Sequence, residues 1–362
     1  MRLRKLALVT LISSLWAVPA NADAVSREAY SGLAKALTDE VVIPAYEHFA
    51  VETSLLGVTL KAYCGLPTPD GEEAVFQRFH DTMDAWAAAE PIQFGPVMNA
   101  PGPARFQFWP DKRGTGQRQL RQALSEEDES LLEPGALDTK SVALADLQAL
   151  EKVLHDDRDT LAVPGSFRCR YAAAIADHQR ELAALMLSGW TGPDGYRRQV
   201  VNAADGTEAF FDEREAAGAF LNSIAGTIEI IRLQKLDRPM GLTLEDARPK
   251  RAENWRSERS FRNIHQNLET LRRFFTASGG FGDLLRDIGS GEDAARAEAL
   301  LVEIMADIEG FEHPLSAAVE EQEARPALEE MLAKLRTLQN LVQEHIAADL
   351  QLIPGFNATD GD

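Results

Sequence analysis

Ser141 to Asp157, SVALADLQALEKVLHDD, is the stretch whose reading decides the fold. Ala143, Leu147, Leu150 and Leu154 recur at spacings of four, three and four, one stripe of an α-helix with no Gly or Pro to interrupt it. A helix patterned in this way is built to be packed. At 100° per residue Glu151 falls on the edge of the stripe, and Gln148, one turn earlier, lies on the same flank. Burying a carboxylate without a partner is costly, so Glu151 is expected to be neutralised, hydrogen-bonded to a cation or bound to a metal. The alternative is a side chain that reaches water past the core.

Outward from this helix, the rest of the chain repeats the pattern. Leu, Ala and Glu abound and Val/Ile/Thr alternation is scarce, which predicts an all-α protein. A long helix over 26–63 is expected to break at Pro44, because a proline inside a helix removes a hydrogen bond and bends the axis. The break would set Glu47 and His48 beside distorted backbone as candidate ligand residues. A second amphipathic helix runs through Phe76, Phe79, Met83 and Trp86 and carries His80, Asp81 and Asp84 on its polar face. Between Phe94 and Leu120 lies a Pro/Gly/aromatic stretch, FGPVMNAPGPARFQFWPDKRGTGQRQL, long for an irregular connection, in which Arg105 and Trp109 are the candidate functional residues. Helices are predicted over 167–190, 207–236, 281–288, 294–310, 315–323 and 326–352. Arg251 to Ser278 is read as helical or leading into a helix, with Glu253, Arg256, Ser257, Arg259, Ser260, Asn263 and Asn267 gathered on one surface by spacings of three, four and seven. So many polar groups in a row predict a buried hydrogen-bond network or a binding surface packed against the first half.

Composition and charge narrow the function classes. Arg2, Arg4 and Lys5 precede an apolar run from Leu6 to Val18 and small residues at Ala20 and Ala22, the pattern of a secretory signal peptide over residues 1–22. A periplasmic location follows as the expectation, with no membrane span. Removing the leader takes away three basic residues and no acidic ones, moving the formal charge from −20 to −23. A surface this acidic repels nucleic acid and anionic membranes. The two cysteines, Cys64 and Cys169, are an even count in an oxidising compartment and predict a disulfide, with two buried thiols as the alternative. The domain division is drawn through Thr191 to Asp205, giving helical bundles over 23–195 and 206–355.

Three stretches, in order, resemble the imelysin family: Val42-Ile43-Pro44-Ala45-Tyr46 with Phe49, the loop from Gly95-Pro96-Val97 to Phe108-Trp109-Pro110-Asp111, and Arg256-Ser257-Glu258-Arg259-Ser260-Phe261-Arg262-Asn263-Ile264. The resemblance implies two helical bundles packed side by side with the functional site in the cleft between them. It also implies either metallopeptidase chemistry or a part in iron uptake. The family hallmark, G-x-H-x-x-E on a helix, here reads Asp146-Leu147-Gln148-Ala149-Leu150-Glu151: the glutamate stays and the glycine and histidine do not. An amide oxygen is a poor ligand for iron, zinc or copper, and a zinc hydrolase also needs an activated water. The leading expectation is therefore a non-enzymatic protein of iron or metal homeostasis that takes a metal ion, an iron chelate or a periplasmic protein in the cleft. Gln148, Glu151, Arg105 and Trp109 would line it from one side, and Arg256, Ser257, Arg259, Ser260 and Asn263 from the other. The alternatives are a metallopeptidase in which His48 replaces the missing ligand, and a partner-binding scaffold with a decayed metal site.

Overall fold

The computed structural model describes residues 25–353, so the expected leader at 1–22 lies outside the described residues. The architecture is all-α, with no strand among the described residues. The predicted long first helix runs as Arg27–Leu37, a π-helical turn Thr38–Val42, and Ile43–Gly65. Pro44 thus falls in the first turn of the following helix, where a missing N–H costs least, and the expected break takes the form of a π turn just before it.

Ile43–Gly65 packs on two long neighbours, Pro69–Ala89 and Phe167–Thr191. The Cys64–Cys169 disulfide, with Cα atoms 5.5 Å apart, joins the end of the first to the first turn of the last. Arg27–Leu37 lies against Glu213–Ile230, and Ser260–Thr276 lies against Pro69–Ala89 and Gly291–Glu309. The buried apolar residues form one cluster that runs from Val25 to Leu352. Glu213–Met240 is long and apolar enough to cross a membrane by length and composition, yet most of it is inside this cluster. A helix apolar on all sides is the expected centre of a bundle.

The stretch 94–114 contributes two 3₁₀ turns, Gly95–Met98 and Gly102–Arg105, and then runs irregularly to the helix Thr115–Glu126. Phe106 anchors it. Its ring is fully buried, 4.7 Å from Trp86 and 5.5 Å from Phe49 between centroids, and its carbonyl accepts the Leu147 N–H at 2.8 Å. Trp109 and Pro110 are thereby held over the start of the Leu147–His155 helix. That helix is shorter than its periodicity suggested. Ala143 sits in a preceding 3₁₀ turn, Val142–Leu144, and Asp146 is the N-cap, accepting from the Ala149 N–H at 2.8 Å. All four residues of the predicted stripe are buried.

Ser260–Thr276 likewise begins later than expected. Residues 252–259 form turns in which Asn254 and Glu258 adopt φ of 47° and 59°. Left-handed backbone ends regular helix for residues with a Cβ. The turns fold Glu253 and Asn254 back against the helix that follows.

Candidate binding cavity

Glu151 is wholly buried, on a helix whose other face meets Phe167–Thr191. Its Oε1 accepts from the Ser257 N–H at 3.0 Å and from the Ser257 hydroxyl at 2.6 Å, while Oε2 has no hydrogen-bond partner. Burial raises its pKa, opposed by the two Ser257 bonds, the nearby charge of Arg256 and the Asn254 amide. The helix of the first half and the turn of the second therefore meet at this carboxylate. The cation expected to neutralise it is replaced, at contact distance, by a hydroxyl and a backbone amide.

Beside this contact lies a cavity of about 120 Å³. Its walls are the Phe108–Lys112 loop, the first turns of the Leu147–His155 helix with Gln148 and Lys152, and the segment from Lys250 to Arg256, with Arg238 at one edge. Trp109 and Trp255 both face it, and the Nε2 of Gln148 is buried without an acceptor. Arg256 stacks on Trp255 at 4.4 Å and donates through Nε to Asp156 at 2.8 Å; Lys152 also pairs with Asp156. Lys250 stands 5.4 Å over the Trp255 ring.

Of the candidates drawn from the sequence, Gln148, Trp109 and Arg256 line the cavity, and Glu151 and Ser257 stand behind it. Arg105 turns back onto its own loop, donating to the Gly102 carbonyl at 3.1 Å, and is not among the lining residues. Arg259 reaches the other way, to Asp84 and to Nδ1 of His80 at 2.8 Å, and so ties the two halves together along the polar face of Pro69–Ala89. Glu47 and His48 are exposed on their helix, with His48 3.7 Å from Glu52, and neither lines the cavity.

Ser260 and Asn263 belong to a buried network that the sequence showed only in part. At its centre is Lys235, 1% exposed, whose ammonium donates to Glu90 at 2.6 Å, Glu253 at 2.9 Å and Asn267 at 2.8 Å. Glu253 also accepts from Asn263 at 3.0 Å and from Gln107 at 2.7 Å, and Asn254 accepts from both amides. The Ser260 hydroxyl closes onto the Glu253 carbonyl. Lys235, Glu90, Gln107 and Asn254 are the members sequence reasoning missed. The signal for Lys235 was present: with Ile224, Ile228 and Ile231 it continues a spacing of four, three and four, which puts a lysine on a core stripe.

The imelysin family model matches residues 42–342, most of the chain. The chain belongs to the imelysin family. No curated protein matches it. Among solved structures, an imelysin-like protein from Psychrobacter arcticum 273-4 superposes with a TM-score of 0.73 at 16% identity, covering 92% of this chain and all of the other. A putative iron-regulated protein A precursor from Parabacteroides distasonis ATCC 8503 gives 0.76 at 14% identity, covering 88% and 95%. At these identities the likeness is one of fold.

A resident metal does not fit this imelysin's motif helix. Its imidazole position is an amide, and the remaining carboxylate spends one oxygen on two bonds to Ser257. Among the described residues no three His, Cys, Asp or Glu side chains gather to hold an ion. The cavity beside it is rimmed by Lys and Arg, which raise the cost of placing a bare cation there.

Proposed function

We propose that this imelysin is an exported, non-enzymatic protein of iron or metal homeostasis, and that it takes a carboxylate-bearing iron chelate at the cavity between the Gln148 helix and the Lys250–Arg256 segment. The observation that carries this reading is the state of the motif carboxylate. Glu151 is occupied by Ser257, while the open space next to it offers amide, lysine and arginine donors. Such a lining suits an oxygen-rich anion, because guanidinium groups bind carboxylates through paired charged hydrogen bonds. Support for export comes from the leader pattern at 1–22, and a link to iron is suggested by the iron-regulated fold neighbour. Peptide hydrolysis finds no support in the donor set: nothing beside Glu151 would activate a water on a metal.

Isothermal titration of the protein lacking residues 1–22, stripped of metals, tests the proposal. Ferric citrate is expected to give heat, and ferrous iron, zinc and copper as simple salts are not. Gln148→His, which restores the family's ligand type, is expected to leave zinc binding undetectable, since Glu151 stays committed to Ser257. Tight zinc or ferrous iron binding by the unmodified protein, with ferric citrate silent, would overturn the reading.

A further inference from the structure

Two of the arginines that line the cavity are not neutralised by the fold. Arg238 follows the π turn Ile231–Asp237, and Arg251 closes the 3₁₀ turn Pro249–Arg251; both line the cavity. Among the described residues neither side chain has a hydrogen bond or an ion pair. The two carboxylates that line the cavity, Asp111 and Asp146, are already engaged, and so is Asp156, the partner of Arg256. Asp111 accepts the N–H groups of Thr115 at 3.0 Å and Gln117 at 3.2 Å. Asp146 accepts those of Phe108 at 2.5 Å and Ala149 at 2.8 Å. Asp156 is shared by Lys152 and Arg256.

This arrangement is costly in itself. Arg238 is half-buried, and both burial and the charge of Arg251 hold its pKa below the ordinary arginine value. A chain with 57 acidic and 37 basic residues has carboxylates to spare for any arginine on its surface. Two unpaired arginines lining one small space, together with the unpartnered buried Nε2 of Gln148, are complementary to a negative, oxygen-rich guest.

We infer that the cavity binds a small polycarboxylate as the free anion, with Arg238 and Arg251 taking its carboxylates and the Gln148 amide donating to it from the motif helix. Trp109 and Trp255, which line the cavity, wall the carbon skeleton. Glutamine in the histidine position then has a purpose: it exchanges a metal ligand for a hydrogen-bond donor. The inference rests on reading this cavity as the chelate site, and adds that the protein recognises the anion, with or without iron.

The test is titration with iron-free citrate, alongside ferric citrate, of the unmodified protein and of Arg238→Gln, Arg251→Gln and Gln148→Glu. Citrate alone is expected to bind and to raise the melting temperature. Each arginine variant should weaken it at least tenfold, and Gln148→Glu should abolish it by placing a carboxylate where the donor stood. Arg251 is exposed and unbonded, so Arg251→Gln should melt, unliganded, at the same temperature as the parent. Binding of ferric citrate but not of iron-free citrate would overturn the inference and leave the proposed function standing. Citrate binding unchanged in both arginine variants would overturn it too, by moving the site elsewhere. Heat from neither form of citrate would remove the proposed function and the inference together.

Discussion

Asp146 shows how one side chain can serve structure at the expense of its own ionisation. As the N-cap of the motif helix it satisfies the Ala149 N–H, and its second oxygen holds the Phe108 N–H, fastening the loop that carries Trp109. Burial nevertheless pushes its pKa up to about 7, against the pull of those backbone bonds. The folded protein therefore binds this proton more readily than the unfolded chain. Through this group, stability should rise as pH falls from about 7 towards 4 and be lost as pH climbs back through that window. Asn caps a helix about as well as Asp. Asp146→Asn keeps an acceptor for the Ala149 N–H but sets an amide donor against the Phe108 N–H, so it is expected to fold with lower stability and to flatten this part of the profile, measured by urea unfolding at pH 5 and pH 8. An unchanged slope between the two would show that Asp146 is ionised across the range.

Among the elements, the π turn Ile231–Asp237 and the turns at 252–259 matter most, and they were the least legible in the sequence. Both depart from the 3.6-residue period on which hydrophobic patterning depends. The polar residues at 253–267 were recognisable as a packed set because their composition is wrong for a surface helix or a core. The turn that assembles them was hidden, since its left-handed positions are Asn254 and Glu258 and no glycine marks either. By contrast, Phe167–Thr191 and Gly291–Glu309 came within three residues of their expected bounds, because their apolar spacing is regular throughout. Lys235 joins the two irregular elements by bridging Glu90 and Glu253. Replacing it with Met would leave the fully buried Glu253 without its counter-charge, so Lys235→Met should cost about 3–5 kcal/mol in urea unfolding. A loss below about 1 kcal/mol would mean that Glu253 takes up a proton and needs no partner.

At the scale of the whole molecule, an all-helical chain with one disulfide could be read from composition and from two cysteines, and the structure has both. The cavity could not be read in full: Arg256 was a candidate from its polar stretch, but Arg238 sits just past the predicted 207–236 helix and Arg251 opens the polar stretch, and no pattern in the sequence marks either as lining a cavity. Chain entropy gives the Cys64–Cys169 bridge, across 105 residues, a contribution of about 4 to 5 kcal/mol. The Cys64→Ser/Cys169→Ser double variant should lose that much in equilibrium unfolding under non-reducing conditions. A loss near zero would mean that the unfolded chain is already compact without the link.

The placement of the indoles gives the protein a built-in optical reporter. Of its five tryptophans, Trp86 and Trp190 are sealed in the core and Trp16 lies outside the described residues, while Trp109 and Trp255 stand half-exposed among the residues that line the cavity. Red-edge excitation of the protein lacking residues 1–22 therefore selects the two indoles beside the arginines, and their emission follows the occupancy of that space without any added label.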